Sequence, residues 1–168
     1  IHPWETCMTL GKQWSWKPQD SIKTFEECLR ILVQCVAGDG NLLLNVGPRA
    51  DGTYPPEAVE RLHVIGDWMS INAEAIHGTR AIEPYEAGAI RFTSKGDTVY
   101  AIILSETEGA AMPKTVRLSS LVPVADAPVF LLGHAAPLAV ARDTGGVTVT
   151  LPDRAPCDHA WTLKYRVA

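Results

Sequence analysis

Residues 41–46 read Asn-Leu-Leu-Leu-Asn-Val, and Gly47-Pro48 closes the run. Three consecutive leucines leave no polar face. The stretch therefore predicts a short strand buried on both sides, as in a parallel sheet covered by helices. Upstream, Thr24 and Glu27 have the spacing of a capping box, and Phe25, Cys28, Leu29, Leu32, Cys35 and Val36 recur at helical intervals. Gly38 and Gly40 mark the end of that helix. Downstream, Asp51-Gly52 makes a loop and Pro55-Pro56 opens a second helix, with Val59, Leu62, Ile65, Trp68 and Met69 mainly on one face. This helix is expected to run to about Ala75, with Gly78 as its stop.

A strand over residues 4–10 (WETCMTL) completes a β-loop-α-β-loop-α order, which requires parallel strands with helical crossovers. Ligands in such folds sit at the C-terminal strand ends, among the loops that lead into helices. Those loops are 11–20 and 47–54. Three of the five tryptophans, Trp4, Trp14 and Trp16, fall within a few residues of the first loop, together with Glu5. A flat apolar ring can cover the C–H face of a sugar, and a neighbouring carboxyl group can transfer a proton at a glycosidic oxygen.

From Ala89 the period changes to short strands, expected at 89–94, 98–104, 115–118, 128–133, 138–142, 146–151 and 160–166, and divided by Gly, Pro and Asp turns. Seven such strands without an amphipathic helix predict an antiparallel β-sandwich. The expected organisation is thus an α/β unit over 1–81 and a sandwich over 82–168, with Ile82–Ala87 as linker.

Composition narrows the function classes. The 168 residues carry a net charge of −4 and no Lys/Arg cluster, which argues against a nucleic-acid partner. No run reaches the ~18 apolar residues of a membrane span. Cys7, Cys28, Cys35 and Cys157 lack metal-ligand spacing, and Cys28 and Cys35 read as small core residues. No nucleotide loop or Ser-His-Asp set is visible, so neither cofactor nor metal is expected.

The strings Trp4-Glu5-Thr6-Cys7-Met8-Thr9, Trp14-Ser15-Trp16 and Gly40–Pro48, with Asp51-Gly52, resemble the α-L-fucosidases of glycoside hydrolase family 29. Asn72–Thr79 is similar to that family's last barrel helix, and Phe92–Asp97, Val99–Ile102, Leu131–Gly133, Leu151-Pro152 and Ala160-Trp161 are similar to its C-terminal sandwich. The resemblance implies the last two β/α units of a (β/α)₈-like barrel followed by a β-sandwich. It also implies a retaining mechanism with an Asp nucleophile and a second carboxyl group as acid/base. The nucleophile belongs to an earlier barrel strand that this sequence does not contain, and the chain opens at Ile1, so a segment of a longer protein is expected. The native compartment is left open.

Glu5 is the residue onto which a catalytic role carries over, as acid/base, as a substrate-positioning group or as a structural carboxylate. Trp4, with Trp14 or Trp16, would wall the sugar site, or each indole packs as core; the family has Trp-Gly-Tyr where this chain has Trp14-Ser15-Trp16. Asn45 and Asp51 are expected to support the loops, Asn45 by bonding backbone rather than substrate and Asp51 within an Asp-Gly turn, with a second carboxylate as the alternative for Asp51. The readings left open are a fucosidase-type hydrolase on fucosylated glycans, a non-catalytic carbohydrate-binding or assembly module, and a structural remnant. A lone pair of parallel strands has bare edges, so a homo-oligomer is expected.

Overall fold

The computed structural model describes residue 2, residues 4–105, residue 107 and residues 109–167. Strands β1 (Trp4–Thr9) and β2 (Gly40–Asn45) run parallel in a two-stranded sheet, in register from Trp4 opposite Gly40 to Thr9 opposite Asn45. Helix α1 (Phe25–Ala37) is the crossover between them. It starts where the capping box is satisfied in both directions: Glu27 N donates to Thr24 Oγ1, and Thr24 N donates to the Glu27 carboxylate at 2.7 Å. Gly38 ends it, its N–H bonding back to Gln34 O. Helix α2 (Pro56–Asn72) follows, then one 3₁₀ turn at Ala73–Ala75.

Eight strands follow among the described residues: β3 (Arg80–Ala87), β4 (Ile90–Lys95), β5 (Thr98–Leu104), β6 (Thr115–Leu118), β7 (Phe130–Leu131), β8 (Ala139–Asp143), β9 (Gly146–Thr150) and β10 (Ala160–Arg166). They form a five-stranded sheet ordered β3-β4-β5-β10-β7 and a three-stranded sheet ordered β6-β9-β8, with every pairing antiparallel. Phe92, Val99, Ala101, Ile103, Leu163 and Tyr165 from the larger sheet interleave with Val116, Leu118, Val147 and Val149 from the smaller. The larger sheet is covered on its other face too. There Tyr100, Ile102, Leu104 and Ala160 pack against Phe25, Leu29 and Val33 of α1 and Trp68 of α2. Burial on both faces explains why β5, Thr-Val-Tyr-Ala-Ile-Ile-Leu, shows no polar alternation. Each such side chain stabilises by roughly 1.5–3 kcal/mol.

Polar bonds add direction to this packing. Trp68 Nε1 donates to Ala160 O at 3.0 Å, Thr93 Oγ1 to Ala75 O at 2.8 Å and Arg30 Nη2 to Ser105 O at 2.8 Å. Lys164 Nζ lies 2.7 Å from the Glu74 carboxylate, and His159 Nδ1 lies 2.6 Å from that of Glu26.

Four expectations are corrected. Residues 82–87 are no linker: they are most of β3, the edge of the large sheet, with a cis Glu83–Pro84 bond and a register shift between Ala81 and Glu86. A Pro is tolerated there because an edge strand can omit a ladder donor. The strand expected at 128–133 shrinks to two residues. The Leu-Leu-Leu run is not buried on both faces: Leu42 and Leu44 are half-buried and Leu43 is 53% exposed. Val59 and Leu62 of α2 are exposed as well, so its apolar stripe is wider than the surface it covers. Cys28 and Cys35 are buried and free, as core residues should be.

Candidate active site

Side chains alternate along a strand, so the two-stranded sheet has two unlike faces. Met8, Leu42 and Leu44 belong to the face that also carries Trp4 and Gly40. Leu44, with Val46 just beyond β2, packs against a cluster of Leu10, Cys28 and Ala58. The opposite face carries Glu5, Cys7 and Thr9 on β1 and Asn41, Leu43 and Asn45 on β2. Glu5, Cys7, Asn41 and Leu43 are exposed there, and nothing among the described residues covers them.

This alternation divides the expected tryptophan–carboxylate cluster. Trp4 and Glu5 are adjacent in sequence and point to opposite faces. The Trp4 indole donates from Nε1 to Gly38 O at 2.8 Å and lies over Gly40, where an added Cβ would come within 2.5 Å of the ring. It staples the start of β2. Glu5 is on the open face but near the N-terminal end of β1. Thr9 lies four positions further on, about 13 Å along the strand. The strand therefore does not carry Glu5 to the loop that holds Trp14 and Trp16, which follows the C-terminal end of β1.

The rim itself is well built. Thr9 Oγ1 donates to Gln13 O at 2.9 Å, and Asn45 Nδ2 donates to Trp14 O at 2.8 Å and to Thr9 Oγ1 at 3.3 Å. Asn45 thus bonds loop backbone, as its position at the strand end implied. Lys23 Nζ donates to Thr9 O at 2.8 Å and Gly11 O at 3.0 Å, and Asp20 accepts from the Lys12 and Gln13 amides. Gly47 lets the two loops approach closely: an added Cβ would lie 2.5 Å from Trp16 N. Held in this way, Trp14 is 57% and Trp16 39% exposed, both at the C-terminal end of the parallel pair. The Arg49 Cζ lies 6.0 Å from the Trp16 ring centroid.

Asp51 does the turn work expected of it. Its carboxylate accepts from Thr53 N at 2.9 Å and Thr53 Oγ1 at 2.7 Å, and the Thr53 amide, first among its neighbours, holds it below its ordinary pKa. Both carboxylates of the rim loops, Asp20 and Asp51, are therefore engaged with backbone. Among the described residues no cluster could hold a metal ion. Asp20, Lys23 and Arg49 had not been singled out from the sequence, and Gly47 had been read only as a strand terminator and part of a motif. Only Gly47-Pro48, directly after an apolar strand, carried a signal that could have found one of them.

Two family descriptions divide the chain between them: "Alpha-L-fucosidase" over residues 1–74 and "Alpha-L-fucosidase C-terminal domain" over residues 85–166. The chain belongs to the α-L-fucosidase family. An α-L-fucosidase of Branchiostoma floridae is 35% identical over 98% of this chain, and the plasma α-L-fucosidase of Homo sapiens is 35% identical over 96%. Among solved structures, α-L-fucosidase isoenzyme 1 from Paenibacillus thiaminolyticus superposes with a TM-score of 0.83 at 29% identity over 99% of the chain. The Thermotoga maritima α-fucosidase in complex with fucose gives 0.82 at 25% identity over 98%. The chain spans 38% and 37% of those two relatives' length and 40% and 39% of the two solved chains. The match is to the C-terminal part of the α-L-fucosidases.

Proposed function

We propose that this chain forms part of the fucoside-binding wall of an α-L-fucosidase-type retaining glycosidase acting on terminal α-L-fucosyl residues. The observation that carries this reading is the rim. Two indoles stand exposed at the C-terminal end of a parallel strand pair, fixed by Asn45, Asp20 and Gly47, above a sheet face that nothing described covers. Trp14 and Trp16 cover the apolar face of the 6-deoxy sugar. Division into a barrel-derived unit before β3 and a sandwich after it accounts for the rest, the sandwich serving as a rigid base for α1 and α2.

A retaining glycosidase needs two carboxyl groups about 5–5.5 Å apart, free to attack and to transfer a proton. Asp20 and Asp51 are bound to backbone, and Glu5 sits a strand's length below the rim. In this proposal the reacting pair is supplied by other barrel strands. Glu5 lines the inner wall, and the isolated chain binds without turning over. The same geometry favours the binding-module reading for the chain taken alone. Its open face, with Leu43 and Cys7 uncovered, makes self-association the expected state in water.

The test uses the purified chain with a nitrophenyl α-L-fucoside and, separately, fucose followed by tryptophan fluorescence. The expected result is binding without release of nitrophenol, weakened several-fold in Trp14→Ala and unchanged in Glu5→Gln. Turnover that Glu5→Gln abolishes would place a catalytic carboxyl group in this chain and overturn the assignment of Glu5 to the wall.

A further inference from the structure

The rim is cationic in a chain of net charge −4. Lys12, Lys17 and Arg49 project from the two rim loops, and the side chains of all three lack an ion pair or hydrogen bond among the described residues. The two carboxylates in the same loops, Asp20 and Asp51, are turned to backbone amides. Arg49 differs from the two lysines in its surroundings. Its backbone closes the loop, with Arg49 N donating to Thr53 O at 2.7 Å, and its guanidinium lies over Trp16. A guanidinium parked on an indole keeps its fork of N–H donors for a ligand, and that fork matches a sulfate or carboxylate. Fucose hydroxyls can accept hydrogen bonds from a guanidinium but offer it no opposite charge.

We propose that Arg49 reads an anionic substituent, a sulfate or a carboxylate, on the sugar to which the fucose is attached. The inference rests on the fucoside-wall reading above. It adds that the rim selects acidic over neutral fucosylated saccharides. Trp16 serves both sugars: one part of the ring contacts ligand and the other orients Arg49. Lys12 and Lys17 strengthen the local field without fixing geometry.

The chain and its R49Q and R49K variants are titrated by calorimetry and tryptophan fluorescence at low ionic strength. The ligands are methyl α-L-fucoside, a neutral fucosylated disaccharide, the same disaccharide bearing a sulfate or a carboxylate, and the sulfated sugar without fucose. The charged disaccharides are expected to bind roughly threefold to tenfold more tightly than the neutral one, as for an exposed charge-assisted contact. R49Q removes that advantage, R49K retains part of it, and about 0.5 M salt suppresses it. Affinity for methyl α-L-fucoside stays unchanged throughout. Fucoside binding without preference for the charged forms, or a preference that survives R49Q, overturns this inference alone. Binding of the sulfated sugar, lost in R49Q, with no binding of the neutral fucosides overturns the fucoside-wall reading and retains the anion site. No binding by any ligand overturns both.

Discussion

At the scale of single residues, close approach governs the α/β unit. Gly40 is required because the Trp4 indole occupies the space a Cβ would need. Gly40→Ala is expected to destabilise by about 1–3 kcal/mol, the usual cost of overpacking. In a urea-unfolding double-mutant cycle, Trp4→Ala should relieve most of that loss; additive effects would show the contact to be unimportant. Tyr165 poses the opposite case. Its ring is buried in the sandwich core, its hydroxyl has no partner among the described residues, and burial pushes its phenol well above the ordinary pKa. Tyr165→Phe should leave the melting temperature unchanged or raise it, since a buried polar atom without a bond stabilises nothing. A fall of several degrees would reveal a bond to that oxygen.

Among the elements, α1 and the β8–β9 hairpin show how local chemistry sets boundaries. The reciprocal Thr24–Glu27 cap makes Thr24→Ala cost about 1 kcal/mol, measurable in thermal or urea unfolding. The hairpin turns on Asp143, which accepts two 2.6 Å bonds from Arg117 and one from the Gly145 amide. Chiefly the Arg117 bonds hold the Asp143 carboxyl down to about 2, below its ordinary 3.8. The folded state thus releases this proton more readily than the unfolded one. The stabilisation is complete above pH 4 and fades as pH falls through about 2. Melting curves over that interval should drop less steeply for Asp143→Asn than for the parent chain, and identical slopes would remove Asp143 from the acid response.

For the molecule as a whole, the five-stranded sheet is the organising surface, with the small sheet on one face and α1 and α2 on the other. The parallel pair β1–β2 lies beyond the helices and keeps its open face. Leu43→Glu is therefore expected to shift the chain toward monomer in light scattering with little change in melting temperature, because that side chain supports no described packing. An unchanged mass would show that association, if present, uses another surface.

Sequence by itself determined much of this protein. The helical period and cap of α1, the apolar strand at 41–46, the turn signals of the sandwich and the loop roles of Asn45 and Asp51 are local patterns, readable from spacing and side-chain chemistry. The motif strings carried the family as well. Tertiary structure alone decided which residues share a site. Trp4 and Glu5 are neighbours in the chain, and strand alternation sends them to opposite faces. Trp14 and Trp16 are distant in the chain from Gly47 and Arg49 and meet them at the rim through the parallel register. Residues 82–87 read as a linker because Pro84 breaks the strand pattern, and only pairing with β4 makes them an edge. Local patterns report what a segment can form; position against other segments, which sequence spacing does not encode, settles what it touches.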